Sequence, residues 1–389
     1  MTAQAPNRVA LVHDFLLDLR GGERVFLCLC DLFPDADIFT AVYDPVGTEG
    51  RFEGRRIHTS FLQRLRPDSR SFRRYLPLYP QAMESLDLRG YDLVLSSSSA
   101  WAHGVLPAAD AVHVCYCHNP FRYAWNERQA TLDARSLPVR LPLSAVLSRW
   151  RQWDWIAAQR VDRYIANSET TQQRIARYFT RESEIVHPPV AVERFSPSAV
   201  GGRYVVLSEL MAHKRIELAV RACTELGLPL SVIGDGPDAR RLQSLAGPTV
   251  EFCGRLSDRD VEQRLASAAA MIVAATEEFG IAAVEAQAAG RPVIALDDGG
   301  LRETVIEGET GTFFPAATVA DLVAALRRFD PLAIDPLACV ANAQRFSPDA
   351  FTDGVMRVVQ EAMAGGPRVR STPGTGVARG LTLAGRSAA

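Results

Sequence analysis

The feature that most constrains this chain is a rhythm that runs through it twice. Short apolar runs, each closed by a polar or glycine-rich turn, alternate with segments of helical spacing. In the first half the runs are "RVALVHD", "ADIFTAV", "YDLVLSS", "AVHVCYC" and "RYIANS", and "GGERVFLCLCDLF" carries helical spacing between two of them. In the second half they are "GGRYVVLSEL", "PLSVIGDGP", "TVEFCGRLSD", "AAMIVAAT", "RPVIALDDGG" and "GTFFP". Ser257 with Asp260 and Thr318 with Asp321 mark helix starts of the capping-box kind. Alternation of this sort predicts an α/β chain of parallel sheets with helices on both faces.

A length of 389 residues exceeds one ordinary core and predicts two domains. The seam falls in "HPPVAVERFSPSAVGG", residues 187–202, where prolines and a double glycine interrupt the rhythm. The expected domains are 1–198 and 199–364, with a disordered, glycine- and arginine-rich tail at 365–389. Two doubly wound domains in series predict a cleft, with functional residues just beyond the carboxyl ends of strands.

The net charge of −2 gives no general pull toward nucleic acid. The seven cysteines sit mostly inside apolar runs, as in "FLCLCDLF" and "VHVCYCH", so reduced thiols and a cytoplasmic setting are expected rather than disulfides or a zinc site. "MTAQAPNR" lacks the apolar core of a signal peptide, and no uncharged apolar stretch approaches ~18 residues.

Four motifs sit where such a cleft would be. "HDFLLDLRGGER" ends the first strand, and its pair Gly21–Gly22 before a helix suits an anion, although a plain strand-to-helix turn fits equally well. "CYCHNPFRYAWN" puts His118 at a strand's end, either as a proton-handling group or as a structural hydrogen-bonder. "VVLSELMAHKRIELAV" sets Lys214 and Arg215 at a helix start, where two cations oppose the helix dipole and a bound phosphate would offset that cost. No G-x-G-x-x-G is present, which counts against a nicotinamide-dependent oxidoreductase.

The fourth motif is "ATEEFGIAAVEAQAAG", with Glu277 and Glu285 separated by seven residues across the start of a helix. Acids favour helix N-termini, which explains Glu277 and Glu278 but not Glu285 among small apolar residues. Carboxylates accept strongly from hydroxyl groups, at roughly 1.5–3 kcal/mol per bond. A ligand with hydroxyls at both ends and phosphates between them fits this layout, and nucleotide sugars have it.

Together these residues resemble the retaining glycosyltransferases of family four, whose GT-B fold sets two Rossmann-like domains face to face. "EEFGIAAVE" matches that family's E-x7-E motif, and "IANSETTQQRI", "HPPVAVERF", "VIGDGPDARRL", "VEFCGRLSD" and "GGLRETVIEGETGTFF" follow its usual order. The N-terminal segments "ALVHDFLLDLRGGERV", "YDLVLSSSSAWAHGV" and "CYCHNPFRYAW" most resemble bacterial O-antigen-type mannosyltransferases that use GDP-mannose. The resemblance implies that Glu277 holds sugar hydroxyls and Glu285 the ribose. Lys214, Arg215 and the amides around Phe279, Gly280 and Ile281 would hold the diphosphate. Gly254 and Arg255 would lie beside the base, Gly21 and Gly22 would close over the donor, and His118 would face the reacting sugar. Glu303 and the Gly299–Gly300 loop would line the far wall. No metal and no further cofactor is implied. One position departs from the pattern: where the family commonly has an arginine, five residues before the lysine, this chain has Glu209. That carboxylate is expected to turn away from the diphosphate or to bond a nearby cation such as Arg215.

Residues 51–74 hold eight arginines against two acids, with Phe61, Phe72 and Tyr75 close by. They read either as a solvated face or as a patch for an anionic membrane or a lipid diphosphate acceptor. The tryptophans of "LSRWRQWDWIAA" fit interfacial contact or core packing. The implied partners are a nucleotide-sugar donor and a polysaccharide or lipid-linked acceptor, with peripheral contact at the cytoplasmic membrane face. A nucleotide-sugar-binding protein without catalysis, or a transferase using a UDP-sugar, stands as the alternative.

Overall fold

The computed structural model describes residues 8–69 and 71–367. The expected tail beyond residue 367 lies outside them, as does Arg70 of the arginine-rich stretch.

Each apolar run of the first half becomes a strand of one parallel sheet. The strands are β1 (Val9–His13), β2 (Asp37–Thr40), β3 (Ile57–Thr59), β4 (Leu93–Ser98), β5 (Val112–Cys117), β6 (Arg163–Ala166) and β7 (Ser183–Ile185), in the order 3-2-1-4-5-6-7. Sequence reading misses β3 and β7. They are three-residue edge strands, half exposed, and they carry too little apolar pattern to stand out. The second half forms a six-stranded parallel sheet from β8 (Tyr204–Leu207), β9 (Leu230–Ile233), β10 (Val250–Gly254), β11 (Met271–Val273), β12 (Val293–Leu296) and β13 (Gly311–Phe314), in the order 10-9-8-11-12-13. This is the expected α/β architecture of two Rossmann-like domains.

Helices cover both faces, so every strand residue must find a core. On β1, Leu11 packs with Phe26, Leu95 and Tyr116, whereas Ala10 and Val12 pack on the opposite face with Phe39, Val94 and Trp101. Ser257 and Thr318 cap their helices as expected, accepting from Asp260 N at 3.2 Å and Asp321 N at 3.1 Å. The seven cysteines are free thiols, and burial pushes Cys30 and Cys115 up to about 12.

Two connections cross the seam. Val190, Val192 and Phe195 of the expected linker pack into the second domain's core. The helix Pro348–Gly365, which follows the second sheet in sequence, returns to the first. Its Phe351, Val355, Val358 and Val359 are buried there with Leu11, Val114 and Tyr116. No helix among the described residues is long and apolar enough to cross a membrane.

Strand order fixes where the chain opens. In the first sheet connections change direction between β1 and β4, and in the second between β8 and β11. At such a point the loops leaving adjacent strands diverge and leave a crevice. In the first sheet the crevice is braced by Asp14, directly after β1. Its buried carboxylate accepts the N–H groups of Ser99, Ala100, Trp101 and Ala102 at 2.6, 3.1, 2.7 and 2.6 Å, tying the loop after β4 to the end of β1.

Candidate active site

Some of the residues singled out in the sequence lie at these two crevices. Lys214 lies in the loop after β8 and Glu277 in the loop after β11. The ammonium of Lys214 donates to both carboxylate oxygens of Glu277, at 2.8 and 2.7 Å. Glu277 is followed by Gly280, whose φ of 95° turns the chain into the helix Ile281–Ala288 and disfavours any residue with a Cβ. The Gly299–Gly300 loop lies against the backbone of Glu277 and Glu278, with Gly300 N donating to Glu277 O at 2.8 Å. A Cβ at either glycine would collide with those carbonyls. The pair therefore buttresses the glutamate loop from behind.

The first domain supplies the opposite wall. The glycine pair opens the helix Gly21–Leu32, and a Cβ at Gly21 would stand 3.3 Å from Ile281 Cδ1. A Cβ at Gly22 would lie 3.9 Å from His118 Nε2. His118 follows β5. Its Nε2 is 2.8 Å from the Ser97 hydroxyl, which is 3.2 Å from His13 Nδ1, and its carbonyl accepts from the Thr171 hydroxyl at 3.1 Å. Burial, with His13 nearby, pushes His118 down to about 3, so the imidazole is neutral at ordinary pH. It can exchange hydrogen bonds with a ligand without adding charge.

A cluster that sequence reading did not assign holds the two walls together. Glu278 accepts from Asn119 Nδ2 at 3.2 Å and Arg174 Nη1 at 3.3 Å, and Arg122 Nη2 lies 3.7 Å away. Burial alone would raise this carboxylate, but the Arg122, Arg174 and Lys214 cations outweigh it and hold it below the usual range. Asn119 and Arg122 sit in the His118 segment, and the doubled acid "EE" was the available signal. Their pairing was hidden because it joins residues more than a hundred positions apart.

The remaining expected residues are placed more variously. Glu285 is on the second turn of Ile281–Ala288, and burial raises it to about 7 against the weaker pull of Arg24 and Arg194. Both cations also reach Asp258, at 3.4 and 3.3 Å. Arg215 is exposed in the left-handed region, at φ 50°. Gly254 ends β10 with φ 66°, and Arg255 Nη2 reaches Glu49 of the first domain at 3.2 Å. Phe279 is buried between His187 and Phe346, so only its backbone is available to a ligand. Glu303 accepts twice from Glu169 N, at 2.9 Å each, capping the helix Glu169–Phe179 of the first domain beside His187. Burial raises Glu303 to about 7 as well.

Residues 19–194 match the family model described as "Glycosyltransferase Family 4", and residues 200–346 match the one described as "Glycosyl transferases group 1". Between them the two models take in most of the chain. Each half of the chain thus matches a glycosyltransferase family model. It is 28% identical over 256 residues to a D-inositol 3-phosphate glycosyltransferase of Streptomyces bingchenggensis, covering 55% of this chain and 56% of that protein. It is 35% identical over 150 residues to a phosphatidyl-myo-inositol mannosyltransferase of Mycobacterium leprae, covering 36% and 40%. The chain thus spans about half the length, or less, of these relatives. Among solved structures, sucrose-phosphate synthase of Thermosynechococcus elongatus superposes with a TM-score of 0.72 at 19% identity, over 92% of this chain and all of that one. Anabaena HepE in complex with UDP-glucose gives 0.67 at 17%, over 91% and 99%. At these identities the likeness establishes the shared GT-B fold.

The two raised carboxylates have a consequence for stability. A carboxyl raised on folding contributes stability that is full below about 4.5 and is lost as pH rises through about 7. Tm should therefore fall between pH 5 and 8, and Glu285→Gln and Glu303→Gln should each flatten that fall. Wild-type pH dependence in both variants would contradict these assignments.

Proposed function

We propose that this chain transfers a hexose from a nucleotide sugar to an acceptor hydroxyl with retention of configuration, and that the donor is GDP-mannose. The observation that carries the reading is the meeting of Lys214 with Glu277 at the start of Ile281–Ala288, opposite a neutral His118. First-turn N–H groups of a helix are left for an anion. With the Lys214 ammonium they would hold the diphosphate where negative charge develops. Glu277, oriented by Lys214, would accept from sugar hydroxyls, and His118 would bond the sugar from the other wall. Glu285 would accept from the ribose, with Gly254 and Arg255 beside the base. The bond from the sugar's anomeric carbon to phosphate breaks, with its electron pair passing to the diphosphate. The acceptor oxygen bonds to the same face, and its proton passes to the departing phosphate oxygen. The leaving group is thus stabilised by side-chain and backbone cationic dipoles, with no metal ion required.

Mannose and GDP are supported by the resemblance of the N-terminal segments and by the mannosyltransferase name of one relative. The acceptor is proposed to be a polysaccharide or lipid-linked saccharide, reached by an enzyme resting on the cytoplasmic membrane face. Supporting that placement, Arg64, Arg66, Arg73 and Arg74 accompany the exposed side chains of Phe61, Leu65 and Leu78. The helix Leu137–Ala158 also exposes Leu137 and Leu141, with no acid between residues 134 and 153. Of its tryptophans, Trp150 and Trp153 pack on Trp101 and only Trp155 is exposed.

Calorimetric titration with GDP-mannose, UDP-glucose and UDP-N-acetylglucosamine tests the donor. GDP-mannose should bind tightest and Glu285→Ala should weaken it at least about tenfold, the loss of one or more charged hydrogen bonds. Preference for a uridine donor would overturn the base assignment. For the membrane, Arg73→Ala with Arg74→Ala should reduce cosedimentation with vesicles containing anionic lipid, and unchanged sedimentation would remove the patch.

A further inference from the structure

Arg20 stands where the first domain's loop meets the second. It directly precedes Gly21, which abuts Ile281, and Gly22, which abuts His118. Its backbone N–H donates to Glu23 at 3.1 Å, fixing the residue at the start of the helix Gly21–Leu32. Its guanidinium reaches two carboxylates. Nη2 is 2.8 Å from Asp18 in its own loop, and Nη1 is 3.3 Å from Glu209 across the cleft. Glu209 belongs to the loop after β8 that also carries Lys214. Of the two expected outcomes, turning away or bonding a nearby cation such as Arg215, it does the second, with Arg20 of the other domain as the cation.

This pair is exposed to solvent. Arg20 is 49% exposed and Glu209 42%, so water screens their attraction and the contact contributes little. A guanidinium binds a diphosphate through two parallel N–H···O bonds, a stronger arrangement than one long contact to a solvated carboxylate. A carboxylate at position 209 would by itself repel a diphosphate held by Lys214.

We propose that Arg20 is a donor-binding residue: its guanidinium leaves Glu209 to clamp the diphosphate from the first-domain wall, facing Lys214 on the second. This rests on the nucleotide-sugar reading of the cleft. The cation that one wall lacks at position 209 is supplied from the other, so gripping the diphosphate also draws the domains together. Glu209 parks Arg20 in the cleft between turnovers.

Calorimetry with GDP and UDP, and with guanosine and uridine as controls, tests this on the full chain. Arg20→Ala should weaken the preferred diphosphate fivefold or more and leave its nucleoside within twofold, with Tm unchanged. Arg20→Lys should recover only part of the loss, because an ammonium lacks the planar fork. Glu209→Gln should bind the diphosphate at least as well as wild type, within twofold. A loss below fivefold in Arg20→Ala, an equal loss for the nucleoside, or weakening beyond twofold in Glu209→Gln overturns the proposal and makes the pair a simple strut between domains. A wild type that binds neither diphosphate overturns the donor reading itself, and Arg20's role with it.

Discussion

A carboxylate taken out of water must be answered by cations, and Glu278 is answered from the opposite domain. Arg122, Arg174 and Asn119 reach it from the loop after β5 and from the helix Glu169–Phe179. That cluster sets how the two sheets face each other. Its neighbour Glu277 is thereby presented to Lys214, and its neighbour on the other wall, His118, is presented to the same space. The cross-cleft pairs of Arg24 with Asp258, Arg255 with Glu49 and the Glu169 N–H with Glu303 follow around the rim. The two ion pairs among these are exposed and of small individual worth.

The site also separates charge by task. His118 is neutral because burial removes its proton, whereas Glu278 is ionised because its cations outweigh burial. At Glu285 and Glu303 burial outweighs the opposing interactions and raises both to about 7. Two carboxylates on one helix-and-loop unit thus differ in state through their surroundings alone.

Much of this was legible in the sequence. Period-2 and buried apolar runs revealed the long central strands, because residues covered on both faces leave a strong pattern. The edge strands β3 and β7 did not, since exposed three-residue segments carry almost none. That Gly21–Gly22, His118, Lys214 and Glu277 lie just beyond strand ends was legible because those loops are short and polar after apolar runs, and Glu285 stood out among the small apolar residues of its helix. The partners of Glu278 and Glu209 were not. They are fixed by the approach of one domain to the other, and nothing local to "EEFG" or "SELM" names Arg174 or Arg20. The return of Pro348–Gly365 to the first sheet was hidden for the same reason: an amphipathic helix advertises a face to bury but not the sheet that buries it.

On the proposed function, the cleft would break the bond between a sugar's anomeric carbon and a nucleoside diphosphate with retention, with Lys214 as the main side-chain cation at the leaving group. The most direct measurement is proton NMR of GDP-mannose incubated with the protein alone, followed from the first minutes. Slow release of α-mannose ahead of mutarotation, reduced about a hundredfold or more in Lys214→Ala, is the predicted result. Release of β-mannose first, or the same rate from Lys214→Ala as from wild type, would contradict it.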